Sequence, residues 1–222
     1  MEQSRLFDAF KADQVAVLAA ALEAGPLPLV RGVEPLRHAA FFGAVQILRL
    51  LLTQLAEPAS EIARLELLMI AKNGKTCEVL LAMGADPQAI NANGMTALHL
   101  AVANQRSSAV KALIKAGANL EAISGLGETP LHAALRLELA DLALLLLKAG
   151  ANPLSPNRQG FSPLRQALTA QNEARRQKMV AALLKQGVPV DAGASAMFQR
   201  GWQTPEIAEH LRQPEPDLEI WW

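Results

Sequence analysis

Short apolar runs alternate with polar, glycine-bearing breaks along this chain, and from Asp86 to Ser162 the alternation becomes regular. Each regular stretch reads as a glycine turn, a short helix opening at Thr or Ser, a tight turn, and a second apolar helix that stops at Gly-Ala. Thr96-Ala97-Leu98-His99 returns as Thr129-Pro130-Leu131-His132, then in altered form as Ser162-Pro163-Leu164-Arg165, so the opening recurs every 33 residues (96, 129, 162). Gly117-Ala118-Asn119 and Gly150-Ala151-Asn152 keep the same beat. Thr is a good helix N-cap, and Pro130 suits the first helical position. Gly117 and Gly150 fall where a second helix must end, and Gly94, Gly127 and Gly160 fall where a tight turn uses positive φ. The period predicts one helix pair copied along the chain, each copy burying its apolar face only against its neighbours.

Outside this segment the copies decay. Ser162 and Gly187 are 25 residues apart, against 21 from Thr96 to Gly117, which predicts about four inserted residues in the polar, basic stretch 171–178. Toward the N-terminus, Gly84-Ala85-Asp86 closes a unit whose opening near Leu65 has lost its Thr-Pro. Glu34-Pro35-Leu36-Arg37-His38 looks like an earlier opening with its His displaced by one place. Residues 6–25 read as an N-terminal capping unit, and Trp202-Gln203-Thr204-Pro205 restarts the pattern before Pro214 stops it.

Composition narrows the chemistry. Lys+Arg and Asp+Glu both number 21, so no net field draws the chain to nucleic acid or an anionic membrane. Apolar residues make up 51% but aromatics only 4%, which leaves Leu and Ala to fill the interior of thin, closely stacked helices. The single Cys77 cannot form an internal disulfide, and the four scattered histidines have no zinc-ligand spacing; no cofactor and no metal are expected. Beside Val79, Leu80 and Leu81, Cys77 reads as core. The longest Leu/Ala run, 142–147, falls far short of the ~20 residues a spanning helix needs. The apolar run 15–22 resembles the core of a signal peptide, yet Glu2, Asp8 and Asp13 stand where a positive region should precede it. Asn73-Gly74-Lys75-Thr76 ends like a phosphate loop, but Met69 occupies the place of the required glycine, and Gly74 reads better as a turn between two helices.

The 33-residue period on Thr-Pro-Leu-His and Gly-Ala-Asn resembles the ankyrin repeat. The resemblance implies an all-α, helix-turn-helix solenoid of about five to six repeats plus a C-terminal capping half-repeat. Residues 1–213 would form one repeat domain and 214–222 a tail. In proteins similar to this one, His99 and His132 would tie neighbouring loops by hydrogen bonds; as general bases they would need an acid partner and a pocket, and neither recurs. Partners of such stacks lie on the concave face, at the loop tips and the exposed ends of the first helices. Carried over by period, that face comprises Ile90, Asn93, Met95 and Asn104; then Ile123, Leu126, Glu128, Arg136 and Leu137; then Arg158, Gln159, Phe161 and Thr169. Arg31, Val33, Phe41 and Phe42 match in the early unit. Ile123, Leu126, Phe161 and the Phe41-Phe42 pair are expected as an exposed apolar stripe, unless each tip packs on the next. The tail's Ile220, Trp221 and Trp222 either cap the last repeat or dock a partner. The expected function is non-enzymatic binding of another protein by a cytoplasmic monomer or weak homodimer. Two roles fit: a stoichiometric inhibitor such as a toxin-neutralising immunity protein, or an adaptor or secreted effector.

Overall fold

Within each of two units, the first helix of a copy packs on the first helix of the next, and second helices stack in the same way behind them. The computed structural model describes residues 2–23, 34–55, 58, 60 and 66–199, which fall into two compact units, dividing after Gly125. In the N-terminal unit the first helices are α1 (Glu2–Ala12), α3 (Pro35–Phe42), α5 (Leu67–Ile70) and α7 (Ala97–Ala103). Their partners are α2 (Val15–Glu23), α4 (Val45–Thr53), α6 (Gly74–Ala82) and α8 (Ser107–Lys115). Here α1, α3, α5 and α7 pack successively, as do α2, α4, α6 and α8. In the C-terminal unit α9 (Pro130–Arg136), α11 (Pro163–Leu168) and α13 (Ala192–Gln199) form one row, with α10 (Ala140–Lys148) and α12 (Glu173–Lys185) behind. The architecture is all-α, as expected.

Local chemistry explains the element ends. Thr96, Thr129 and Ser162 have extended backbones, and their hydroxyls accept from the amides of His99, His132 and Arg165. The second helices close alike: in α8, the amides of Gly117 and Ala118 donate to the carbonyls of Ile114 and Leu113. The same paired bonds recur at Gly84, Gly150 and Gly187, all at positive φ. Inside, Leu98, Leu113, Leu131, Leu135 and Leu146 are fully buried. Each is worth about 1.5–3 kcal/mol relative to exposure.

The structure answers one point left open by the sequence and revises one expectation. The insertion is helical: α12 has 13 residues where α8 and α10 have 9, with Asn172 capping the amide of Arg175. Gly74 is the first residue of α6, capped by Asn73, and not the turn between helices. A Cβ there would sit 2.6 Å from the carbonyl oxygen of Ser108, so close approach of α8 explains the glycine. The C-terminal row continues at α13, where Asp191 accepts from the amide of Ala194 and the hydroxyl of Ser162. Arg31, Val33, the Trp202 restart and the tail 214–222 lie outside the described residues.

Cross-repeat clasps add specificity within each unit. Asp13, at φ 51°, accepts from the amides of Gln46 and Ile47 at the start of α4. Glu138, at φ 56°, does the same for Gln171 and Asn172 before α12. A carboxylate at a helix N-terminus meets both unsatisfied amides and the positive end of the helix dipole. Gln88 donates to the Gly117 carbonyl and accepts from the Asn119 amide. Arg106 reaches backward, donating to the carbonyls of Ile70 and Ala71.

Candidate partner-binding surfaces

The loop before α7 is a small, internally bonded finger. Ile90 and Thr96 form an antiparallel bridge, and the Asn91 side chain accepts from the amides of Asn93 and Met95. The neighbouring loop is tied to it where the Gly125 amide donates to the Asn93 carbonyl at 2.9 Å. This bracing holds Ile90 and Ile123 outward, 66% and 59% exposed, at equivalent places one period apart. Asn93 and Asn104 are exposed, with Asn104 bonded to the Leu100 carbonyl, and Met95 is half-buried.

At the end of α3, Phe41 is exposed and Phe42 half-buried. Phe42 stacks on His38 with ring centroids 5.9 Å apart and meets Phe7 edge-on. His38 also packs against Phe7 and Phe10. The displaced histidine thus belongs to an aromatic cluster joining α1 to α3. Sequence reasoning missed this cluster, although Phe7 and Phe10 stand three apart on one helical face.

In the C-terminal unit the finger before α11 repeats the design, with Asn157 accepting from the amides of Gln159 and Phe161. Leu126 is 58% exposed, Leu137 less so, and Arg158 and Gln159 are exposed. Glu128 is buried and bound through both carboxylate oxygens by the Arg136 Nε at 2.8 and 3.1 Å. Phe161 is half-buried beneath the Arg165 guanidinium, 4.0 Å from the ring centroid. Thr169 is half-buried and donates to the Gln166 carbonyl. The exposed apolar residues among those expected are therefore Ile90, Ile123 and Phe41 in the N-terminal unit and Leu126 in the C-terminal unit, with Phe42 and Phe161 recessed into packing. Leu154, 55% exposed, is an apolar residue the period argument did not select.

His99 and His132, both buried, hold the loops of their own units. His132 Nδ1 lies 2.9 Å from the Thr129 hydroxyl and Nε2 lies 3.1 Å from the Phe161 carbonyl. A carbonyl only accepts, so Nε2 carries the proton and Nδ1 accepts from Thr129. His99 Nδ1 likewise accepts from the Thr96 amide and pairs with its hydroxyl, closing a reciprocal cap.

A scan against family models finds ankyrin repeats (3 copies) at residues 36–124 and 67–157, together more than half of the 222-residue chain. The chain belongs to the ankyrin repeat family. Among solved structures, this ankyrin repeat protein is similar to the ankyrin repeat domain of Bcl-3, described as a unique member of the IkappaB protein family. The two are 24% identical over 83% of this chain and 86% of that one, with a TM-score of 0.64. At that identity the likeness speaks to the fold. No curated protein sequence matches the chain.

Among the described residues no helix is long and apolar enough to cross a membrane, and no three His, Cys, Asp or Glu groups converge on a metal site. Burial pushes the Cys77 thiol up from 9.0 to about 11, only partly offset by the Arg106 guanidinium. The neutral thiol is the favoured form, so its contribution to stability is present below pH 9 and is lost as pH rises through 11. Iodoacetamide at pH 8 should leave Cys77 unmodified in the native protein and alkylate it fully in urea. Rapid native alkylation would mean that α6 opens locally.

Proposed function

We propose that this ankyrin repeat protein works by binding another protein through the exposed residues of its braced loops and first-helix ends. Ankyrin repeat domains generally mediate protein–protein interaction, and the observation that carries the reading here is the outward placement of Ile90 and Ile123. A solvated loop gains nothing from holding large aliphatic side chains in water, whereas a binding face does. Phe41, Asn93, Met95 and Asn104 extend the candidate surface in the N-terminal unit. Leu126, Glu128, Arg136, Leu137, Arg158, Gln159, Phe161 and Thr169 are the candidates in the C-terminal unit, with Glu128 and Phe161 acting by fixing Arg136 and the loop. A rigid face spends little ordering entropy on association.

The reading is non-enzymatic and cytoplasmic, with a monomer or weak homodimer acting by occupancy. A stoichiometric inhibitor, such as an immunity protein covering a toxin, is the role that a preformed surface favours. An adaptor or effector is the alternative. Co-purification from native cells separates them, with Ile90→Ala/Ile123→Ala and Leu126→Ala/Arg158→Ala as comparison baits. One stoichiometric partner, lost from either variant while circular dichroism stays unchanged, supports the reading. A partner retained by both variants would remove function from these loops.

A further inference from the structure

A groove of about 240 Å³ opens in the N-terminal unit, lined by Leu68 and Met69 of α5 and by Ala85, Ala89 and Ile90. Ala97 and the acidic Glu66 and Asp86 complete its lining. Among the described residues no Lys or Arg shares that lining. Three of the apolar residues are alanines, and this shortness of side chain is what leaves the volume. The wall bearing Ile90 cannot collapse inward cheaply, because the bridge to Thr96 and the Asn91 side chain fix its backbone. Asp86 is itself fixed, accepting from the Gln88 amide at 2.8 Å.

We infer that this groove receives one large apolar side chain of a partner polypeptide that carries Lys or Arg beside it. The inference rests on the protein-binding reading and names the chemistry of the segment bound. An apolar slot with two carboxylates at its edge attracts a cationic flank and repels an anionic one. That asymmetry decides against the chain's own apolar tail as occupant. Residues 214–222 carry Glu215, Asp217 and Glu219 beside Ile220, Trp221 and Trp222, with no basic residue among them. A second copy's tail fails for the same reason.

The test uses the full chain, ¹⁵N-labelled, and three synthetic peptides. These place a single Leu in a Gly-Ser background between two lysines, between two glutamates, or between two serines. The lysine peptide should shift the amides of residues 85–90 and bind more tightly than the serine peptide, with the glutamate peptide weakest. Glu66→Gln/Asp86→Asn keeps the Asp86 cap while removing both charges, and should weaken the lysine peptide about fivefold, as expected of two exposed ion pairs. Its affinity should then match that of the serine peptide. Equal binding of all three peptides, shifts confined to other residues, or no shifts at millimolar peptide would overturn the inference. None of these results touches the co-purification outcome, so the broader reading stands or falls separately.

Discussion

Replacing His132 by alanine should cost the C-terminal unit about 3 kcal/mol, the combined effect of a buried cavity and stranded hydrogen-bond partners. The side chain is fully buried, and both ring nitrogens are engaged. Without it, the Thr129 hydroxyl loses one partner and the Phe161 carbonyl loses the donor that ties its loop to α9. His132→Gln should lose roughly half as much, since Gln three residues after a Thr cap can still complete a reciprocal cap. Its shorter reach leaves the Phe161 carbonyl with the Asn157 amide of its own loop and no tie to α9. Urea unfolding followed by far-ultraviolet circular dichroism would read both variants, and a broadened transition is expected where one copy uncouples from its neighbours. Equal losses for Ala and Gln would mean that the loop tie, and not the cap, carries the energy.

Gly127→Ala should be as damaging, at about 3 kcal/mol, whereas Gly150→Ala should cost only about 1 kcal/mol. Both glycines lie at positive φ, 77° and 97°. Around Gly150 nothing stands within 4 Å of a new Cβ, so only the backbone preference is lost. At Gly127 the new Cβ would fall 2.2 Å from the Cβ of Arg158. That atom cannot swing aside as a side-chain tip could, because the Arg158 amide donates to the Gly127 carbonyl at 2.8 Å. The finger that presents Arg158 and Gln159 must therefore shift as a body. The same melting experiment on the two variants checks the contrast, and equal destabilisation would show that the loops yield freely.

The parts of the fold legible in the sequence were those where one residue type answers one local need. Thr96, Thr129 and Ser162 had to cap, the Gly-Ala pairs had to end helices, and the shared period declared the stacking. The family assignment follows from those residues alone. The lengthened α12 was harder, because Glu173 to Lys185 is mostly polar at its start, and its helix rests on an Asn172 cap read only in place. His38 was recognised as displaced, but its aromatic setting depends on α1 lying across α3. The surface was legible in part. Position along the period located Ile90, Ile123 and Leu126, yet could not distinguish an outward ring from one recessed like Phe161 beneath Arg165. Glu128 likewise looked like a surface acid, and only the packing of α9 turns it inward to Arg136.

The clasps made by Asp13 and Glu138 set a timetable for the chain as it is synthesised. Each carboxylate serves amides 33 and 34 residues downstream, so neither can close within its own copy. At about 5–20 residues per second, Glu138 waits roughly 2 to 7 seconds before Gln171 and Asn172 exist to be held. The Gln88 clasp imposes a similar delay, with its partners 29 and 31 residues ahead. A nascent chain therefore carries an unlocked turn behind its growing end, and each copy is secured only when the ribosome delivers the next.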